Sequence, residues 1–184
     1  GTDQIGRDVF SRLIFAARNT LGICFLACSI ALIIGTIFGI IAAIDRRYID
    51  QFLSRTIDTL MAIPVMIFTF ILLSVFGPSN LNLILILGIL ESTRFFRISR
   101  SVAVGQVVLE YVEVAKLRGE KFSYIIFKEI LPNIASPLIV EFGVRFIFII
   151  FTVSSLSFLG LGIQPPAADW AAMVRENAIL IQYA

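Results

Sequence analysis

The feature that most constrains this chain is an apolar run from Leu21 to Ile44, which holds 24 residues and no charged side chain. At about 1.5 Å per residue, an α-helix of this length crosses the roughly 30 Å hydrocarbon core of a bilayer. The whole chain is 58% hydrophobic with a mean hydropathy of +0.94, far above the values of a water-soluble domain. We therefore expect an all-α, polytopic membrane helical bundle.

Small side chains recur at every fourth position along this run. Residues four apart share one face of a helix, and a face of small side chains lets two helix backbones approach closely in lipid. We predict that this face packs against another helix, although small residues are also common in membrane helices without such a role. The residues are Ala27, Ala31, Gly35, Gly39 and Ala43.

Two further apolar segments follow. One runs from about Ile57 to Phe76 and contains Pro64, where we expect a kink whose freed carbonyl is satisfied by neighbours. The next, Leu81–Leu90, has only ten residues before Glu91. It either continues as a helix through Glu91 and Arg94, with both charges facing protein or the interface, or forms a re-entrant hairpin. We favour the continuous helix.

The fourth predicted span begins after Asn133, reaches about Leu156 and carries Glu141 and Arg145 on one face. Ionisable residues inside a membrane helix are costly and usually face a partner or water. The two residues either line a translocation path and contact a zwitterionic substrate, or form an ion pair that fixes helix packing. The packing role is the favoured interpretation.

Basic residues concentrate in two loops and set the expected orientation. The positive-inside rule places both loops in the cytoplasm. With four spans, both ends then lie outside, and we expect 1–184 to be a single transmembrane domain excerpted from a longer protein, without its first and last membrane helices. Ten of the 15 basic residues lie in these loops: Arg46, Arg47, Arg55, Arg94, Arg97, Arg100, Lys116, Arg118, Lys121 and Lys128.

The first 18 residues, GTDQIGRDVFSRLIFAAR, precede the first span. Their apolar side chains share one helical face, and most of their charged side chains lie elsewhere. We predict an amphipathic helix at the outer interface. Its apolar face consists of Val9, Phe10, Leu13, Ile14 and Ala17.

A charged segment, Glu110–Asn133, separates the third and fourth spans. Val108, Tyr111, Val112 and Ala115 follow helical spacing, which predicts a short amphipathic helix over 108–118. Gly119 is placed to end that helix in a left-handed conformation. Ser123 is placed to cap a second short helix that Pro132 ends. The alternative is an ordinary solvated loop.

This segment resembles the EAA loop of binding-protein-dependent ABC importer permeases. The resemblance rests on Glu113-Val114-Ala115, Gly119 and Ile130-Leu131-Pro132; Val114 and Glu129 depart from the family pattern. GTDQIGRDVFSRLIFAAR, RTIDTLMAIP and LSFLGLGIQPPAADWAAM are similar to the second permease subunit of dipeptide, oligopeptide and nickel importers. Val153 stands where the family often has an acid.

The resemblance implies a permease subunit of the bacterial cytoplasmic (inner) membrane that moves peptides or nickel. Its implied partners are a second homologous permease subunit, two cytoplasmic ATPase subunits that bind ATP and Mg²⁺, an external substrate-binding protein and the lipid bilayer, but no nucleic acid. The implied excerpt holds the second to fifth of six membrane helices. The residues expected to couple to the ATPase are Glu110, Tyr111, Glu113, Ala115, Arg118, Gly119, Leu131 and Pro132.

Missing residue types narrow the alternatives. There is no GxxxxGK[ST] loop for ATP phosphates, so we expect no cofactor bound by this chain and no enzymatic activity of its own. The absence of His removes a Ser–His protease dyad and weakens any metal site, and Cys24 and Cys28 are expected to be small buried hydrophobes. An ion-coupled secondary transporter or channel that uses Glu141 and Arg145 is the alternative function.

Overall fold

The computed structural model describes residues 1–3, 6–45 and 47–181, and the side chains through residue 178. Within these residues the chain is helical, apart from loops and one isolated bridge between Thr2 and Asp8. The helices are α1 (Val9–Asp45), α2 (Tyr48–Met61), α3 (Val65–Phe76), α4 (Asn80–Val107), α5 (Glu110–Leu117), α6 (Phe122–Tyr124), α7 (Leu131–Phe158) and α8 (Trp170–Ile181). A π-helical segment, Ile125–Ile130, joins α6 to α7 without a break. The fold is the all-α membrane bundle that the composition predicts.

Two helices of the described chain are long and apolar enough to cross a membrane. They are Val9–Asp45 and Phe122–Phe158, each of 37 residues. A third span is added if α2 and α3 are counted together. α4 runs unbroken through Glu91 and Arg94, which confirms the continuous helix and excludes a hairpin there. Whether α4 crosses the bilayer stays a prediction.

Two sequence predictions about the first two spans are wrong. No separate amphipathic helix precedes the first span, because α1 already begins at Val9, where the Asp8 carboxylate accepts a hydrogen bond from the Ser11 N–H at 2.8 Å. The segment around Pro64 is broken rather than kinked. Pro64 has no N–H and disfavours a helical conformation of the residue before it, so α2 ends at Met61 and α3 begins after the proline.

Contacts divide the chain into two compact units, of which the first comprises 1–28, 65–88 and 146–184. Asp169 is fully buried in it. Its carboxylate accepts hydrogen bonds from the Thr20 hydroxyl at 2.9 Å and from the Ala172 N–H at 3.0 Å, so it caps α8 and fastens that helix to α1. The Trp170 indole N–H donates to the Leu13 carbonyl at 3.0 Å, a second link between the same two helices.

The first unit also contains an ionic network that the sequence did not indicate. The Arg12 guanidinium lies 3.0 Å from the carboxylate of Asp3 and 3.0 Å from that of Glu176. Arg7 contacts the same two acids, at 2.7 Å and 3.3 Å. The two arginines therefore connect the start of the chain to α8.

The second unit comprises 29–64 and 89–145. Here α1 meets α4 at Gly35 and Gly39, where the backbones are too close to admit a side chain. All five residues of the small-residue stripe are buried. Toward the end of both helices, Ile40 and Ala43 of α1 join Ala103 of α4 in the apolar core of this unit.

We predict that Gly35→Ala destabilises the chain by about 1–3 kcal/mol, because the added methyl group overlaps well-packed backbone. A Cβ at Gly35 would lie 2.5 Å from the Phe95 Cβ and 2.8 Å from the Phe96 N. Gly22→Ala is the matched control on the same helix, because a Cβ at Gly22 would meet no atom within 4 Å. Thermal unfolding in detergent measures both, and equal midpoints for the two variants would contradict the prediction.

Candidate functional site

The short helix α5 is shaped by its ends. Glu110 and Glu113 lie in its first turn and Lys116 in its last, an order that suits the helix dipole. Gly119 has φ +74°, its N–H donates to the Lys116 carbonyl at 3.0 Å, and the next N–H donates to the Ala115 carbonyl at 3.2 Å. These are the two bonds of a Schellman motif, so the left-handed glycine predicted at this position is confirmed.

One face of α5 is buried against the helix that follows it. Val112 and Ala115 belong to the same apolar core as Ile125, Ile126 and Ile130 of the π-helical segment. Val108, predicted for this face, is 62% exposed because it lies before the helix, which begins at Glu110 rather than at 108. The core joins α5 to the Phe122–Phe158 helix as one body.

The predicted second short helix does not end at Pro132. The structure continues helically from Phe122 to Phe158, and Pro132 lies just after the π-helical segment. A π turn widens the helix and relieves the clash that a proline makes with the preceding turn. The Asn133 side-chain amide donates to the Glu129 carbonyl at 2.6 Å. Ser123 is not the cap either, since Lys121 holds the N-cap position.

Other side chains of α5 and of the start of the next helix are exposed. We define the α5 surface as the exposed apolar residues Val114, Leu117 and Phe122, which are 42%, 82% and 49% exposed, together with the adjoining groove. The groove has a volume of about 430 Å³. It is lined by Glu110, Tyr111, Val114, Ala115, Arg118, Glu120, Tyr124 and Glu129.

The Tyr111 side chain in the groove lining is held in place by a hydrogen bond. The Tyr111 hydroxyl donates to the Gln106 side-chain oxygen at 2.7 Å. Burial, and then the nearby charge of Glu129, raises the pKa of Tyr111 above its ordinary value, at which a phenol is already protonated at neutral pH. The groove therefore presents acids beside a neutral phenol and the Arg118 guanidinium.

The predicted coupling residues fall into two sets. Glu110, Tyr111, Ala115 and Arg118 line the groove. The others lie outside that lining: Glu113, Gly119 and Pro132 are exposed, and Leu131 is half-buried. The structure thus brings four of the eight together on one surface.

Glu141 and Arg145 form an ion pair one turn apart on α7, with 2.5 Å between the Arg145 Nε and the Glu141 Oε1. Their side chains are only 13% and 21% exposed. An ion pair between two mostly buried side chains resembles a packing element more than an open binding site.

Sequence reasoning missed the ion pairs that two arginines of α4 form with α2. The Arg100 guanidinium binds the Asp50 carboxylate of α2 through two hydrogen bonds, one of 2.6 Å, and Arg97 binds Asp58 of α2 at 2.6 Å. The two acids, Asp50 and Asp58, lie eight residues apart on the polar side of α2. This spacing could have been used to predict that α2 faces basic residues of another helix. Glu91 is 5% exposed, and its Oε2 atom has no hydrogen-bond partner.

The described residues contain no group of three or more His, Cys, Asp or Glu side chains that could hold a metal ion. Cys24 and Cys28 are free and buried.

We expect Glu141→Gln combined with Arg145→Gln to leave the apparent KM for transported substrate within about twofold of its starting value, because the buried pair binds itself. Uptake kinetics in proteoliposomes measure this. Asp3→Asn with Arg12→Gln, which removes a pair outside this region, is the control for general loss of charge. A KM raised about tenfold in the Glu141/Arg145 double variant alone would instead place the pair on the substrate's path.

The chain is similar over 96–100% of its length to several permease proteins. It is 37% identical over 184 residues to a dipeptide transport system permease protein, DppC, of Alkalihalophilus pseudofirmus, covering all of this chain and 60% of that protein. It is 33% identical over 176 residues to a glutathione transport system permease protein, GsiD, of Pectobacterium atrosepticum, covering 96% of this chain and 58% of that one. A di/tripeptide transport system permease protein, DppC, of Pseudomonas aeruginosa is 32% identical over 184 residues, again covering all of this chain and 61% of the relative.

The chain thus spans about three fifths of the length of these relatives. Residues 35–184 match the family described as binding-protein-dependent transport system inner membrane component. Together with the apolar helices, this match makes the protein a multi-pass protein of the inner membrane. The chain belongs to the family of inner membrane components of binding-protein-dependent transport systems.

Proposed function

We propose that this chain is part of the transmembrane domain of a permease subunit in an ATP-driven ABC importer of short peptides. The names of the relatives concern dipeptides, di/tripeptides and glutathione, which are all short peptides. The same three relatives cover 96–100% of the chain, so the proposal does not rest on one local motif. The alternative substrate is a nickel complex, because the permease branch that this sequence resembles also includes nickel importers.

The observation that carries the proposal is that α5 packs against the start of a long apolar helix. Val112 and Ala115 fix α5 to Ile125, Ile126 and Ile130 through a shared core. The residues 122–158 then continue as one helix that is apolar enough to span the membrane. A force applied to the exposed side of α5 is therefore passed to a membrane helix rather than absorbed by a flexible loop.

The partner that supplies this force is proposed to be a pair of cytoplasmic ATPase subunits that bind ATP and Mg²⁺. The α5 surface, with Leu117 82% exposed, offers the apolar anchor that a protein interface needs at its centre. Two nucleotide states of the ATPases that contact α5 differently would bias two arrangements of the membrane helices. A second homologous permease subunit and an external substrate-binding protein complete the proposed assembly.

We predict that Gly119→Trp releases the ATPase subunits while the permease stays inserted. A left-handed backbone costs a residue with a side chain about 1–2 kcal/mol, so the Schellman turn that orients α5 is lost, with the indole added beside the interface. Glu113→Lys should weaken coupling by reversing an exposed charge in the first turn. Co-purification of the full-length permease with its neighbouring ATPases in mild detergent, followed by ATP-dependent peptide uptake, measures both.

Two controls separate coupling from general damage. Gly105→Trp introduces the same side chain at an exposed α4 position with no atom within 4 Å of its Cβ, and Glu113→Gln removes a charge without reversing it. Both should retain the ATPases. If Gly119→Trp and Glu113→Lys retain them with normal uptake, the coupling role is rejected. Peptide uptake by a permease with no ATPase attached would favour an ion-coupled transporter instead.

A further inference from the structure

One side of α2 is exposed although its side chains are largely apolar. Tyr48 and Phe52 are 72% and 71% exposed, and Ile49 beside them is 45% exposed. Tyr48, Phe52 and Arg55 follow the spacing i, i+4 and i+7, so they form one stripe along the helix. Arg55 is exposed as well, and the stripe therefore ends in a positive charge.

Another side of α2 is already engaged. Two ion pairs fix this helix to α4: Asp50 with Arg100, and Asp58 with Arg97. These pairs set the rotation of α2 about its own axis, because both acids must face α4. The residues of the stripe take no part in them, so the exposure of the stripe follows from the way in which α2 is held.

A groove of about 300 Å³ adjoins the stripe, where α2 meets the end of α1. The uncharged run of α1 ends at Ile44, so this part of α1 lies at the edge of the hydrocarbon core. The positive-inside rule places this edge on the cytoplasmic side. The lining is aromatic and aliphatic throughout and consists of Phe38, Ile41, Tyr48, Ile49, Phe52 and Leu53.

A second arginine lies at the other end of the stripe. The Arg47 guanidinium stacks on the Tyr48 ring, with 4.9 Å between its Cζ atom and the ring centroid. Stacking uses the face of a guanidinium and leaves its N–H donors along the edge, where they match the oxygens of a phosphate. Arg55 follows eight residues later, about 12 Å along the helix. The groove is thus bordered by positive charge at both ends.

We propose that the stripe and groove bind an anionic phospholipid of the cytoplasmic leaflet. Arg47 binds the phosphate, Arg55 adds attraction for the net negative charge, and an acyl chain occupies the groove. A second membrane helix would fill the groove but leave both arginines without a counter-charge. A water-soluble protein would meet the charges but not a groove at the edge of the hydrocarbon core. The lipid site goes beyond the proposed transport function and does not depend on the substrate.

The test uses the full-length permease with its ATPase subunits in phosphatidylcholine vesicles that contain a rising fraction of phosphatidylglycerol. Phe52→Trp places a fluorescent reporter in the groove, and brominated acyl chains quench it on contact. The signal of all other tryptophans is subtracted with the complex that keeps Phe52. We expect brominated phosphatidylglycerol to reach half-maximal quenching at a mole fraction about tenfold or more below that of brominated phosphatidylcholine.

Paired variants separate this site from the general charge of the protein. Arg47→Gln combined with Arg55→Gln should reduce the preference to about twofold or less, since each arginine near an anionic surface contributes roughly fivefold. Lys121→Gln with Lys128→Gln removes two exposed charges from the same predicted side of the membrane and should leave the preference unchanged. Native mass spectrometry counts the phosphatidylglycerol retained by complexes that keep Phe52, so the comparison does not depend on the reporter.

Four results would overturn the lipid site. They are equal quenching by the two lipids, a preference that survives in the arginine double variant, the same loss in the lysine control, and displacement of the lipid by excess inorganic phosphate. The last would make the arginines a site for free anions. Absence of quenching by either lipid would also overturn it, because another part of the complex would then cover the groove. By contrast, absence of ATP-dependent peptide uptake would reject the importer proposal and leave the lipid site in place.

Discussion

The close approach of α1 to α4 at Gly35 and Gly39 is the contact on which the second unit depends. With only hydrogen atoms at these positions, the α4 backbone comes within side-chain distance of α1, and dispersion contacts replace the hydrophobic effect that lipid cannot supply. This register places Ile40 and Ala43 against Ala103, so the apolar core continues from the membrane helices into α5. It also turns the arginines of α4 toward the acids of α2.

Charge inside this apolar protein is arranged in pairs because an unpaired charge has no water to solvate it. Arg145 binds Glu141 within α7, where both side chains are mostly buried, whereas the Arg97–Asp58 pair that joins α4 to α2 is about half exposed. The first unit follows the same principle at Asp169, whose buried carboxylate is satisfied by a hydroxyl and by a helix N-terminus. The pairing is incomplete at Glu91, whose buried Oε2 atom has no hydrogen-bond partner.

Much of the candidate coupling site could be predicted because its signals are local. The left-handed turn at Gly119 follows from the residue type and its place after an apolar face, and the continuity of α4 follows from a helical sequence without proline. The prediction that a helix ends at Pro132 was wrong, although proline usually ends a helix. Only the structure shows the π-helical segment before Pro132, through which the helix continues. The prediction that Val108 lies on the buried face of α5 was wrong, because helical spacing alone does not locate the first residue of a helix.

The sequence by itself determined the membrane environment, the apolar helices and the position of the charged segment, since each depends on composition and on spacing within one stretch of chain. Only the tertiary structure decided which arginine binds which acid, which small residues meet a backbone, and that α5 shares a core with the Phe122–Phe158 helix. These contacts join residues up to 169 positions apart, as Arg7 and Glu176 do. No local pattern specifies such partners, because they are chosen by the packing of whole helices.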